Sequence, residues 1–260
     1  MTTMATPCVP ADLLKMLGHE VRWQLVAALV GSDQRVNELI ERVERPMNVV
    51  SYHLRQLWQH GLVHERRSSA DGRDVYYSVD LDALRRCFMA TGDALHPALT
   101  EKDDDLLAAT TVGDALPAAV RMLFLCTHNS ARSQMAEAIA NHLGQGWVQA
   151  HSAGTAPSGV NPHAIRAMQG MGIPMEGARS QHVDEFGDQP FDYVITVCDS
   201  ARESCPFFPA TTEMIHWSFP DPSAASGSDA EKQAVFDATA AQLETRIRQL
   251  LLRLLRERSD

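Results

Sequence analysis

The sequence predicts an α/β protein with two domains: a small helical domain that ends in a β-hairpin, and a larger domain built on a parallel sheet. The chain has 260 residues, more than one domain usually contains, and its 45% hydrophobic content is ample for packed cores. Short amphipathic helices fill residues 11–60, whereas apolar strands alternate with helices beyond residue 119. We place the domains at 1–92 and 120–260, with a linker over 93–119.

The first domain combines helices with a hairpin. Amphipathic periodicity predicts helices at residues 11–17, 20–30, 36–43, 46–60 and 81–90. Extended runs at 62–67 and 75–79 flank the turn-forming Ala70, Asp71 and Gly72, which is a hairpin signal. A helix, a turn, a second helix and then a hairpin is the order of a winged helix-turn-helix domain, which binds DNA.

Polar and basic side chains mark the surface that would contact DNA. Residues 1–92 carry 11 basic and 11 acidic side chains, so any contact must come from a local basic surface rather than from bulk charge. Such side chains suit base edges and phosphates. The candidates are Asn48, Ser51, Tyr52, Arg55 and Gln56 on the recognition helix and Arg66, Arg67 and Arg73 on the wing. From the pattern alone, a helical bundle with solvated arginines is the alternative.

The run SYHLRQLWQHGLVHERRSSADGRDVYYSV closely resembles the arsenic-repressor (ArsR) family of winged-helix regulators, over roughly residues 10–92. The resemblance implies a homodimer on palindromic operator DNA. Members that sense arsenite often carry a Cys-x-Cys pair before the recognition helix, but residues 36–45 contain no cysteine. Cys8 and Cys87 are the remaining candidate arsenite ligands, because As(III) favours thiolates. Alternatively, Cys87 is a small buried hydrophobe and Cys8 a terminal thiol without a role.

The second domain alternates strands with helices. We predict strands at residues 120–125, 148–150, 193–197 and 214–217, and helices at 133–143, 162–170 and 229–258. This alternation predicts a parallel sheet covered by helices on both faces. The apolar face of the last helix includes Val235, Leu243, Ile247, Leu250 and Leu254.

The segment LFLCTHNSARSQMAEA carries the strongest local signal. Cys126 ends a buried strand, and Arg132 follows in a Cys-x5-Arg loop that precedes a helix. Backbone amides there can surround a tetrahedral anion, Arg132 can hold two of its oxygens, and the same field favours a Cys126 thiolate that Ser133 can hydrogen-bond. The position, at the carboxyl end of a strand, is where parallel sheets bind ligands. The predicted oxyanion-binding residues are Thr127, His128, Asn129, Ser130, Ala131, Arg132 and Ser133.

Asp221 and a pair of cysteines complete the candidate site. Asp221 lies in HWSFPDPS and can transfer protons, although Asp-Pro also begins ordinary turns. Cys198 and Cys205 lie seven residues apart in VITVCDSARESCP. A helix between them would separate them by about 10 Å along its axis, beyond the roughly 4.4 to 6.8 Å between the Cα atoms of a disulfide. Bridging them therefore requires local unwinding, unless they are two unrelated structural cysteines.

Together these features resemble the low-molecular-weight protein-tyrosine-phosphatase family, from about residue 120 to 257. Within that fold the segments NSARSQMAEA, SAGT, NPHAIRAM and HWSFPDP look closest to the thioredoxin-coupled arsenate reductases. The resemblance implies a low-molecular-weight phosphatase-like parallel-sheet domain that reduces arsenate to arsenite. Cys126 would attack arsenate, Cys198 would attack Cys126, and Cys205 would move the disulfide to a pair that thioredoxin reduces, with no bound cofactor.

The chain departs from the family at several positions. Ala131 replaces a common second loop cysteine, and His128 replaces the usual glycine, but neither position is needed for thiol attack. Some relatives hold potassium. Asn129, Glu137 and Ser152 match three of its ligands, whereas Arg179 and Gln181 replace others, so we do not predict potassium.

Two other functions remain open from the sequence. A tyrosine phosphatase of this family often has Tyr after Asp-Pro, where this chain has Ser223. The second alternative is a regulator whose phosphatase-like domain only senses an oxyanion or the redox state.

The sequence also bears on location. No apolar run approaches the roughly 18 residues of a membrane span, and the N-terminus lacks a basic segment followed by an apolar one. Five cysteines at irregular spacing argue against a disulfide scaffold. We therefore expect a cytoplasmic protein without a membrane partner.

Overall fold

The computed structural model describes residues 10–68, 70, 73–95, 119–187, 189–203, 209 and 211–259. The chain divides into two compact units, within residues 1–104 and 105–260, and each is described by itself. In the described parts of both units, no helix is both long enough and apolar enough to cross a bilayer.

The described residues of the first unit form five helices and three short strands. The helices are α1 (Pro10–Leu17), α2 (Glu20–Gly31), α3 (Val36–Val43), α4 (Met47–Gln59) and α5 (Leu81–Leu95). The strands are β1 (Gln34–Arg35), β2 (Val63–Arg67) and β3 (Val75–Val79), and they form an antiparallel sheet in the order β1-β3-β2. The sequence did not predict β1, because two residues are too few to show an alternating pattern.

Helix α4 packs one face into the core of this unit. Val50, Leu54 and Leu57 are buried among side chains of α2, α3 and β2, and the polar His53 is buried with them. Ser51, Tyr52 and Arg55 on the other face are exposed. Helix α5 runs five residues beyond its predicted end, into the predicted linker. Asp71 and Gly72 of the predicted hairpin turn lie outside the described residues.

In the second unit, the described residues form four strands and four α-helices. The strands are β4 (Val120–Cys126), β5 (Val148–Gly154), β6 (Tyr193–Thr196) and β7 (Glu213–His216). The helices are α6 (Arg132–Gly144), α7 (Pro162–Gly170), α8 (Asp199–Glu203) and α9 (Asp229–Ser259), with short 3-10 helices at Val183–Phe186 and Pro222–Ala224.

The four strands form a parallel sheet in the order β5-β4-β6-β7, which confirms the predicted parallel sheet. Strand β4 is buried on both faces, which explains its continuous apolar sequence. Phe124 faces a core that includes Ile139 of α6 and Leu243 of α9, and Leu123 faces a second core that includes Phe186.

The prediction of the apolar face of α9 was wrong at one residue. Val235 is 40% exposed, and Phe236 is buried instead at 1%. Seven residues make almost two helical turns, so the buried stripe that contains Leu243 and Leu250 returns to Phe236. The other predicted positions of this face are buried.

The strand order predicts a crevice for a ligand at the carboxyl end of β4. Strand β5 lies on one side of β4 and β6 on the other, so the connections to them leave in opposite directions. Parallel sheets bind ligands at such a point, outside the carboxyl ends of the strands. Cys126 is the last residue of β4.

Candidate active site

The thiol of Cys126 is held by two neighbouring groups. The side chain is 3% exposed, and its Sγ lies 2.9 Å from Ser133 Oγ and accepts the backbone N–H of Asn129 at 3.1 Å. Ser133 Oγ itself accepts the Asn129 side-chain amide at 3.0 Å, which leaves the hydroxyl hydrogen for the sulfur. Two donors aimed at one sulfur suit a thiolate nucleophile.

Asn129 fixes the shape of the loop that follows Cys126. Its backbone lies in the left-handed region, with φ of 45°. Its buried side chain also donates to Ser152 Oγ at 2.8 Å and accepts from Gln134 Nε2 at 3.0 Å and from the backbone N–H of Gln181 at 2.8 Å. All donors and both lone-pair directions of the amide are thereby used, so the loop is held before any ligand binds.

Gly154, at the end of β5, allows this loop to approach the sheet. A Cβ at position 154 would lie 2.6 Å from the carbonyl oxygen of Thr127 and 2.8 Å from the backbone nitrogen of Asn129. Any side chain here would push the loop away, and only glycine permits the observed approach.

Arg132 begins helix α6 and reaches the loop after β7. Its buried guanidinium donates from Nη1 to the carbonyl oxygen of Phe219 at 2.9 Å, and its Nη2 lies 3.4 Å from Asp221 Oδ1. The structure therefore brings together a cation suited to an anion and a carboxylic acid suited to proton transfer, from distant parts of the sequence.

Asp221 also begins a turn, which is the alternative role that its Asp-Pro sequence suggested. Its Oδ1 accepts the backbone N–H of Ser223 at 3.1 Å and so caps the short helix Pro222–Ala224. The carboxyl is 38% exposed, and it lines an open cleft of about 590 Å³ together with side chains of the loop after β4. The other lining residues with polar side chains are His128, Ser130, Ser158, Asn161 and Ser223.

Cys198 is a second buried thiol beside the same loop. It follows β6, is 2% exposed, and its Sγ lies 3.5 Å from Thr127 Oγ1 and accepts the backbone N–H of Ala201 at 3.4 Å. Burial raises the pKa of the Cys198 thiol, while the positive charge of Arg132 opposes this effect. Cys205 lies outside the described residues, and helix α8 occupies the segment that follows Cys198.

The candidate DNA-contact side chains lie on the surface of the first unit. Asn48, Ser51, Tyr52 and Arg55 on α4 are exposed and Gln56 is half-buried. On the hairpin, Arg67 and Arg73 are exposed and Arg66 is half-buried.

The two cysteines predicted as arsenite ligands belong to the same unit. Cys87 is half-buried against the core and is disulfide-bonded, whereas Cys8 lies outside the described residues. Over the described ranges, no cluster of three or more His, Cys, Asp or Glu side chains is arranged to hold a metal ion.

The sequence did not identify two glutamines that support the loop. Gln134 Nε2 donates to the carbonyl oxygen of Arg179 at 2.8 Å as well as to Asn129, and Gln181 Nε2 donates to the carbonyl oxygen of Ser152 at 3.0 Å. The sequence offers little signal for Gln134, because its neighbours on the same helix face, Glu137 and Asn141, are polar as well. Ser152 also donates to Glu137 Oε2 at 2.6 Å, and burial raises the pKa of that carboxyl.

The matches to known proteins fall in the second unit. Residues 121–260 match the family described as low molecular weight phosphotyrosine protein phosphatase. An arsenate reductase of Halalkalibacterium halodurans is 43% identical over 126 residues, which are 48% of this chain and 90% of that protein. An arsenate reductase of Bacillus subtilis is 39% identical over 127 residues, 48% of this chain and 91% of that protein. The crystal structure of an arsenate reductase from Archaeoglobus fulgidus is 30% identical and superposes with a TM-score of 0.41, covering 50% of this chain and 97% of that one.

Proposed function

This chain belongs to the low molecular weight phosphotyrosine protein phosphatase family and is an enzyme of that family, and we propose that its reaction is the reduction of arsenate to arsenite. The observation that carries this proposal is the second buried thiol, Cys198, beside the loop that follows Cys126. A phosphatase of this kind needs only one thiol. A reductase must supply two electrons and then regenerate its nucleophile.

The proposed chemistry begins at Cys126. Its thiolate attacks arsenic, Arg132 and the loop amides hold the arsenate oxygens, and Asp221 protonates the oxygen that leaves as water. The Cys198 thiolate then attacks the sulfur of Cys126. The arsenic–sulfur bond breaks, and arsenic keeps its electron pair and departs as arsenite.

The remaining steps restore the nucleophile. Cys205 attacks Cys198 as a thiolate, so Cys126 is released as a thiolate and the disulfide moves to Cys198 and Cys205. Thioredoxin, a dithiol protein, would reduce this disulfide and supply the two electrons of the cycle. We expect no bound cofactor.

The runner-up reaction is phosphate ester hydrolysis. It would use only Cys126, Arg132 and Asp221, and the 3.4 Å contact between Arg132 and Asp221 supports this possibility. We therefore expect slow hydrolysis of an aryl phosphate as a side activity. A regulator that only senses an oxyanion is the third possibility, but an unreactive sensor does not require an acid such as Asp221 beside its anion loop.

A coupled assay with thioredoxin, thioredoxin reductase and NADPH tests the reductase proposal. We expect steady NADPH consumption that depends on arsenate and on the full chain. Hydrolysis of aryl phosphate without arsenate turnover would identify a phosphatase. An absence of both reactions would favour the sensor.

The raised pKa of Cys198 gives a pH prediction for the second step. A raised pKa means that the thiol keeps its proton near neutral pH, and only the thiolate attacks. Single-turnover release of arsenite should therefore accelerate by about tenfold per pH unit above neutrality and level off above the pKa of Cys198. Hydrolysis of aryl phosphate, which does not use Cys198, is the control and should lack this rise. A release rate that is flat from pH 7 to 9 would contradict the assignment.

For the first unit we propose a winged helix-turn-helix regulator of the arsenic-repressor type, which binds operator DNA as a homodimer. The arrangement of α4 supports this: its apolar face lies in the core, and its polar face is exposed. The antiparallel pair β2 and β3 follows it with arginines on its surface, as a wing would. Regulation and reduction would then reside in one polypeptide.

Replacing Arg55, Arg66 and Arg67 together by alanine tests the DNA surface. Because each arginine is expected to contact a phosphate, the slope of log affinity against log salt should fall by about three. Affinity for the chain's own promoter should drop by about a hundredfold at physiological salt, as measured by fluorescence anisotropy. A variant with Arg85 and Arg86 replaced, both exposed on α5, is the control. Equal binding by the triple variant and the control would reject the proposed surface.

Cys8 and Cys87 remain the proposed arsenite ligands of the first unit. Cys87 must first be reduced, because a disulfide cannot bind arsenic. In reducing buffer, arsenite should release the wild-type chain from its promoter, whereas a variant with both cysteines replaced by serine should stay bound. The variant Cys126→Ser, measured alongside, separates this response from the catalytic thiols. Release that persists in the double variant would exclude Cys8 and Cys87 as the sensor.

A further inference from the structure

Asp199 is a fully buried carboxylate that directly follows Cys198. It begins helix α8, and none of its surface is exposed. Its Oδ1 accepts the hydroxyl of Ser218 at 2.7 Å and lies 3.3 Å from His216 Nε2. A buried carboxylate is costly unless such partners compensate for the water it has lost. The structure therefore ties the residue after Cys198 to the segment after β7.

The partners of Asp199 are themselves fixed. His216 is the buried last residue of β7, and its Nδ1 lies 2.8 Å from Thr196 Oγ1 at the end of β6. Ser218 is followed by Phe219, whose carbonyl oxygen accepts Arg132. The anchor of Asp199 is thus part of the rigid sheet and of the loop that holds the anion-binding arginine.

Helix α8 has little stability of its own. It is five residues long, and a helix this short does not persist in water without tertiary contacts. Its described buried contacts come from Asp199 and from Ala201, which packs in the core. The same backbone supplies the Ala201 N–H that donates to Cys198. Loss of the Asp199 contacts would therefore remove one of these two buried attachments and loosen both the helix and the thiol.

We propose that Asp199 is a latch: a positioning residue that keeps α8 folded and Cys198 beside Thr127, and whose contacts must break before Cys198 can meet Cys205. The significance of the latch for catalysis rests on the proposed reductase function. While α8 is folded, the first five residues between the two cysteines are helical. A helical connection of this length separates two cysteines by more than a disulfide can span. Unwinding of α8 would begin at its first residue, Asp199.

Alkylation of Cys198 tests the latch without arsenate or thioredoxin. The fully reduced chain is treated with iodoacetamide, and modification of each cysteine is followed by peptide mass mapping. In Asp199→Ala, Cys198 should react at least about tenfold faster, because hydrogen bonds to a charged group are lost. Asp199→Asn should be close to wild type, since its Oδ1 still accepts from Ser218. Asp229→Ala, which removes an exposed Asp from the start of α9, is the control and should change nothing.

Labelling of Cys126 separates a local latch from general loosening. In Asp199→Ala the labelling rate of Cys126 should stay at the wild-type value. An unchanged Cys198 rate, or an equal increase for both cysteines, would overturn the proposal. If Asp199→Ala does not fold, Ser218→Ala removes one partner of the carboxylate and should speed Cys198 labelling by about threefold or more.

A kinetic comparison connects the latch to the relay. In Asp199→Ala, single-turnover release of arsenite should slow by at least about fivefold, because Cys198 spends less time beside Thr127, the residue after Cys126. Hydrolysis of aryl phosphate should stay unchanged. If wild-type protein does not reduce arsenate at all, the reductase proposal fails, while the labelling result still decides whether Asp199 holds Cys198 in place. Faster labelling together with unchanged arsenite release would overturn the role of the latch in the relay.

Discussion

Replacing Cys126 by serine should abolish both arsenate reduction and aryl phosphate hydrolysis, by about 10⁴-fold or more. A serine hydroxyl is hardly ionised near neutral pH, and the groups around Cys126 are arranged to donate to a sulfur anion. Cys198→Ser is the matched control, since it changes the same atom in the second buried thiol. It should keep the phosphatase reaction and lose only the thiol-driven release of arsenite.

The outcome for Cys126→Ser is measured in two assays. Arsenate turnover is followed by NADPH consumption, and hydrolysis by release of the aryl alcohol. Near-wild-type activity of Cys126→Ser in either assay would mean that another group is the nucleophile. Loss of the phosphatase reaction in Cys198→Ser would mean that this residue supports the loop and not the relay.

Cys205→Ser should complete one turnover and then stop. Cys126 and Cys198 are enough to release arsenite, but without Cys205 the disulfide between them cannot move to a pair that thioredoxin reaches. We expect a burst of about one equivalent of arsenite per chain and no steady turnover. Peptide mass mapping of the stalled protein should then find Cys126 joined to Cys198.

The control for the stalled state is the double variant Cys198→Ser, Cys205→Ser. It lacks the attacking thiol as well and should show no burst. Sustained thioredoxin-coupled turnover by Cys205→Ser would show that the disulfide between Cys126 and Cys198 is itself accessible to the reductant. The relay would then need only two cysteines.

The sequence predicted the parts of the site that are contiguous in the chain. The Cys-x5-Arg loop could be predicted because Cys126, Arg132 and Ser133 lie within eight residues, between a strand and a helix. The parallel sheet could be predicted because its strands are buried on both faces and leave continuous apolar runs.

Contacts between distant segments could not be predicted in this way. The approach of Cys198 to Thr127, the 3.4 Å contact of Arg132 with Asp221, and the need for Gly154 all depend on how strands align in the sheet. The error at Val235 has a different origin, because adjacent Val235 and Phe236 are both apolar and the period alone decides which is buried. The sequence resemblance, and not the spacing, linked Asp221 to Cys126.

The hydrogen bonds of Asn129 have a consequence for how this active site can be modified. The loop is supported from β5, from the first turn of α6 and from Gln181, and none of these supports lies in α8. The loop around Cys126 therefore keeps its own supports, and α8 and the residue before it meet the rest of the site through Asp199 at Ser218 and Cys198 at Thr127. A protein engineer can redesign the residues between Asp199 and Cys205, to change the electron donor or the rate of disulfide transfer, while these two contacts and the supports of the anion-binding loop are kept.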